Sequence, residues 1–130
     1  MKFFHDKKAP WSEKWNWVDE NNVVLGFDAS QCCCEDFGSY YHTDPKKPKE
    51  TEIDLSEEGL KDYRFDPEFH EDDNLGDTDG GGSFTVKLVD STGTSNRPEV
   101  YLTIYNWHNG YYSHGFSFDN GETTIYSGCL

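Results

Sequence analysis

Three consecutive cysteines, Cys32, Cys33 and Cys34, sit in the stretch GFDASQCCCEDFG. Thiolates bind soft cations, attack electrophiles or pair as disulfides, whereas a protonated thiol packs as a small apolar side chain. On a strand, successive side chains point to opposite faces, so Cys32 and Cys34 share one face and Cys33 takes the other. A tetrahedral zinc ion would need two ligands beyond Cys32 and Cys34, and Cys129 and His114 are the candidates. The paired C-x-x-C spacing that marks structural zinc does not occur. Buried packing is therefore the favoured reading of the triplet, with zinc as the alternative. A disulfide to Cys129 requires an oxidising compartment, and no local signature supports a Cys-His hydrolase.

The second constellation is acidic. Residues 50–79 hold 13 of the 25 acids against Lys61 and Arg64 alone, in a chain of formal charge -14. Within it, DDNLGDTDGGG offers oxygen ligands for calcium at Asp72, Asp73, Asp77 and Asp79. The EF-hand pattern fails there: with Asp79-Gly80 in the central turn, the terminal ligands would be the apolar Leu75 and Val86. Such a segment can also imitate a phosphate backbone and enter a basic groove, or serve as a solvated acidic loop. Glu57, Glu58, Asp62 and Asp66 are the candidate contacts to a basic partner surface. The same charge repels phosphates and anionic lipid, which argues against direct nucleic-acid or membrane binding.

The third constellation is aromatic. Asn109-Gly110 and Asn120-Gly121 each lie between strand-like runs, and Asn-Gly favours tight hairpins because both turn positions need positive φ. Two-residue turns there pair Tyr105 with His114, Phe116 with Ile125, Phe118 with Thr123 and Tyr112 with Cys129. Tyr101, Tyr105, Trp107, Tyr112, Phe116 and Phe118 then share one face, and Tyr105, Trp107 and Tyr112 form a candidate platform for sugar or peptide. Val100, Leu102, Ile104, Gly115 and Tyr126 take the other face, with Tyr126 covering Gly115.

The elements that position these residues read mainly as strands. NVVLGFDAS is β-branched and short, and CCCEDFGSYYHT follows it as a second strand, joined as a hairpin and kinked at Gly38. TEIDL alternates as a short strand. Ser56 caps one or two helical turns with Glu57 and Glu58 in the first. DPEFHEDDNLGDTDGGG reads as loop, and SFTVKLVD as a strand. Trp15 and Trp17 share a face if their segment is extended.

The stretch VVLGFDASQCCCEDFG resembles small uncharacterised bacterial and phage domains in which a strand leads into a Cys-Cys-acid run. The resemblance spans about residues 22–41 and implies no activity. No phosphate-binding loop, dinucleotide fingerprint or nucleophile elbow is present.

Together these features predict one β-rich domain over 1–130, mainly β, with six to seven antiparallel strands and one short helix. The strands would form a sandwich or partly open barrel, with an irregular acidic segment at about 44–82. The expected role is a non-enzymatic interaction module with no cofactor. Zinc or calcium binding and sugar or peptide binding are the alternatives. No apolar run reaches the ~18 residues of a membrane span, and MKFFHDKKAPWSEKW does not read as a signal peptide. Cytoplasm, with reduced thiols, is the expected location.

Overall fold

Phe84, Val86 and Leu88 alternate along one segment, and Val100, Leu102 and Ile104 along another. All six are completely shielded from solvent. A sheet with one apolar face needs a second layer over it, and the chain supplies a second sheet. The computed structural model describes residues 1–9, 12–28, 37–74, 82–92, 97–106 and 115–130. Among these, ten strands form two antiparallel sheets, with one short helix, in a sandwich rather than a closed barrel. The first sheet runs β1 (Lys2–Ala9), β2 (Ser12–Val18), β3 (Val24–Asp28), β9 (Gly115–Asp119) and β10 (Thr124–Cys129). The second runs β5 (Glu52–Ile53), β4 (Phe37–His42), β8 (Val100–Asn106), β7 (Gly82–Asp90) and β6 (Tyr63–Asn74).

The core lies between them. Phe84 meets Phe116 at 4.5 Å between ring centroids, and Phe65 meets Phe118 edge-on at 5.3 Å. Each buried Phe contributes roughly 2–3 kcal/mol by leaving water. The Trp17 indole donates to the Tyr41 hydroxyl at 3.1 Å, joining β2 to β4. Asp19, 4% exposed, joins the sheets more tightly. Its Oδ1 accepts from the backbone N–H groups of Asn21 and Val23, both at 2.9 Å, and its Oδ2 accepts from Phe65 N–H at 2.9 Å.

The helix α1 (Glu57–Leu60) starts as expected: the Ser56 hydroxyl accepts from Gly59 N–H at 3.2 Å. Other expectations are corrected. Ten strands replace six or seven, partly because residues 66–74, expected as loop, belong to the edge strand β6 (Tyr63–Asn74). Its Pro67 has no N–H to donate and falls where the β6–β7 register shifts, between Phe65 and His70. Acids dominate its outward edge, which discourages pairing with another chain.

The hairpins also differ. β8 and β9 lie in different sheets, so the pairing expected about Asn109-Gly110 does not form. Thr103 sits between Tyr40 and Thr85, and Phe116 between Phe27 and Gly128. Phe116 and Phe118 therefore line the core, while Tyr101 and Tyr105 lie on the outer face of the second sheet. β3 and β4 are likewise split between sheets. Asn109 and Gly110 themselves lie outside the described residues.

The turn at Asn120-Gly121 does reverse the chain, and Gly121 takes a φ of 93°. However, Asn120 Oδ1 accepts from the N–H groups of Glu122 and Thr123, which draws both into the loop. The register shifts accordingly. Phe118 faces Tyr126 and Cys129 faces Gly115, with an irregularity at Ile125. Gly38 makes no bulge: it pairs with Tyr105, whose hydroxyl would sit 2.9 Å from any added Cβ.

Replacing Asp19 with Ala strands the buried N–H groups of Val23 and Phe65, each worth about 1–3 kcal/mol when unsatisfied. Urea unfolding of Asp19→Ala is expected to show a loss of about 3–5 kcal/mol with an unchanged m-value. Asp19→Asn should lose most of that, because its amide nitrogen opposes an N–H. A loss under ~1 kcal/mol would mean the carboxylate does not bind the sheets together.

Candidate functional site

The sequence-predicted residues fall into distinct places. Cys32, Cys33, Cys34, Trp107, Tyr112, His114, Asp77 and Asp79 lie outside the described residues. For Asp73 and Cys129 the backbone alone is described. Among the described residues no group of His, Cys, Asp or Glu could hold a metal. The described chain flanking residues 29–36, 75–81 and 107–114 does come to one end of the sandwich. Phe37, Asn106, Gly82 and Asn74 form a single row across the second sheet. Asn106 Nδ2 donates to the Leu130 carbonyl at 3.2 Å, which holds the end of β10 there too.

The four acids proposed as contacts separate. Asp62 pairs with Arg97 at 2.7 Å, and Arg97 also lies over the Tyr63 ring at 5.9 Å. Asp66 accepts from Glu68 N–H at 3.0 Å in the β6 irregularity. Glu57 and Glu58 are exposed on α1. They line a cleft of about 320 Å³ together with Lys2, Phe3, Phe4, Leu60 and Lys61. Phe4, on the edge strand β1, is 51% exposed.

A second site, not anticipated from sequence, occupies the outer face of the second sheet. Polar and aromatic side chains alternate outward there: Tyr40 and His42 on β4, Tyr101, Thr103 and Tyr105 on β8, Thr85 on β7 and Glu71 on β6. Tyr40, Thr103, Thr85 and Glu71 form one row. His42 is 1% exposed and Thr103 2%. His42 Nδ1 lies 3.3 Å from the Asp44 carbonyl, which can only accept, so Nδ1 carries the proton. Nε2 of the neutral ring then accepts from the Thr103 hydroxyl at 2.7 Å. With its single proton committed, Thr103 accepts from Thr85 at 2.7 Å. Thr85, only 9% exposed, lines the cleft in which this network ends. The His42 ring stacks on Tyr101 at 5.7 Å and leans on Tyr40 at 5.2 Å.

This network ends in a cleft of about 500 Å³, walled by Tyr40, Pro45 and Lys46 on one side and by Glu71, Thr85 and Thr103 on the other. Across Tyr40 lies a smaller cleft of about 240 Å³, lined by Tyr40, Lys49, Glu52 and Tyr105. Of the expected platform, Tyr105 alone is described, and it stands 5.8 Å from Tyr40. The sequence signal for this face was the i, i+2 spacing of Tyr40-His42 and Tyr101-Thr103-Tyr105. What it could not give was which strands lie side by side.

No protein-family model matches the chain, and neither curated proteins nor solved structures give a match. Among the described residues no helix is long and apolar enough to cross a membrane.

Burial holds His42 below its ordinary pKa of 6.5, although Asp44 and Glu52 pull it upward. The unfolded chain therefore takes up this proton first. The stability from neutral His42 is complete above pH 6.5 and declines as pH falls through the lower folded value. Denaturant titrations over this range should show a shallower pH slope in His42→Gln, whose amide oxygen can still accept from Thr103. An equal slope would show that neutral His42 does not carry the dependence.

Proposed function

We propose that this chain is a non-enzymatic interaction module whose acidic segment meets a basic partner surface. The observation that carries the reading is Phe4, a large apolar side chain left half exposed beside Glu57 and Glu58. Lone exposed apolar residues are ordinary, but this one lines a cleft shared with acids of the acid-rich segment. Lys2 and Lys61 balance the two glutamates locally. Attraction therefore comes from the surface charge of the whole chain, and Phe4 supplies the short-range contact. Asp62 and Asp66, already engaged within the fold, add to the field rather than touch the partner. The fitting partner segment is amphipathic, with apolar residues for the cleft and Lys or Arg around them.

Electrostatic steering of this kind is lost when salt shortens the Debye length from about 10 Å at 0.1 M to about 3 Å at 1 M. A synthetic peptide of alternating Lys and Leu, titrated calorimetrically, is expected to bind at least about tenfold more weakly at the higher salt. Phe4→Ser and the Glu57→Gln/Glu58→Gln pair should each weaken binding at low salt without changing the melting temperature. Binding indifferent to salt and to both variants defeats the proposal.

A further inference from the structure

The two clefts on the outer face of the second sheet repeat one chemistry. The larger sets Tyr40 against Lys46 and Glu71, and the smaller sets Tyr40 and Tyr105 against Lys49 and Glu52. Each offers an aromatic ring with a lysine and a glutamate. Asp72 also borders the larger cleft, and its Oδ2 accepts from the Tyr126 hydroxyl. A cationic ligand would meet a lysine in each cleft, and an anionic one a glutamate, so the pairing selects a neutral ligand. Hydroxyl groups donate and accept at once, so a polyol can donate to the glutamates and accept from the lysines in the same pose. The face of a Tyr ring is electron-rich and apolar, suited to the C–H face of a sugar ring. A cleft of about 500 Å³ is within the range of small-ligand sites.

Preorganisation strengthens the case. Thr103 and His42 are buried and fully bonded, so the orientation of Thr85 is fixed before a ligand arrives. Tyr40 stands between the clefts, tilted 58° from Tyr105. Two successive rings of a chain would therefore stack on differently inclined surfaces, as in a bent glycan rather than a flat ribbon.

We infer that this face binds a neutral oligosaccharide of two or more pyranose units, one in each cleft, stacked on Tyr40 and Tyr105. This site is separate from the acidic surface around Phe4, and the two readings stand or fall independently.

The test is a two-dimensional NMR titration of the whole chain with maltotetraose, cellotetraose, chitotetraose and mannotetraose, each to about 10 mM, well above a weak Kd of ~1 mM. Shifts confined to residues around Tyr40, Thr85, Thr103 and Tyr105 are expected for at least one glycan. For that glycan Tyr40→Ala should weaken binding at least about tenfold. Tyr40→Phe, which keeps the ring, should retain most of the affinity, and this separates stacking from a folding defect. Thr85→Val, which also removes the bond to Thr103, should weaken binding while the spectrum away from these clefts stays that of the parent. The inference is overturned if none of the four glycans shifts this face, if Tyr40→Ala binds like the parent, or if the basic Lys-Leu peptide occupies these clefts in their place.

Discussion

One buried carboxylate ties the two layers of this protein together. Asp19 lies in the turn between β2 and β3, where it accepts from two N–H groups of that turn. It spends its other oxygen on Phe65 at the start of β6 in the opposite sheet. A buried charge is tolerable only when its lone pairs are taken up, so the position of Phe65 relative to this turn is fixed within a hydrogen-bond length. The rest of the interface follows from that fixed point. Phe65 reaches Phe118, Phe84 settles between Phe116 and Phe118, and Trp17 finds the Tyr41 hydroxyl.

Fixing the inner faces also decides what the outer faces present. With Val100, Leu102 and Ile104 turned inward, Tyr101, Thr103 and Tyr105 must turn outward. On an exposed sheet, those hydroxyls and rings would be ordinary surface. Here residues 43–51 fold back beside β4, and the Asp44 carbonyl accepts a hydrogen bond from His42 Nδ1–H. An outer face thus acquires a buried, oriented polar network with clefts at its margin. The described part of the acid-rich segment, by contrast, is distributed by the fold over β5, α1 and β6 rather than gathered at one point.

The strand periodicities, the Ser56 cap and the reversal at Asn120 were legible because each depends on residues close together in the chain. Residues 66–74 were misread for a local reason: Pro67 and the surrounding acids look like loop, yet both suit an edge strand, where one side of the backbone pairs with nothing. The hairpins at residues 29–36 and 107–114 were misassigned for a different reason. Turn residues report that the chain bends, but not whether the next strand returns beside its predecessor or crosses to the other layer. That choice is made by which apolar face each strand must cover, and Phe116 and Phe118 are needed opposite Phe84 rather than beside Tyr101.

From the amino-acid order alone come the class of fold, the faces along each strand, the cap of α1 and the strongly acidic balance. These rest on steric alternation, local hydrogen bonding and summed charge, none of which requires knowing who lies next to whom. The tertiary structure alone decided that β8 sits between β4 and β7, and that placement built the row Tyr40, Thr103, Thr85 and Glu71 from residues up to 63 positions apart. Strand neighbours are chosen by the burial of the whole apolar surface at once, a global minimum that no single segment encodes.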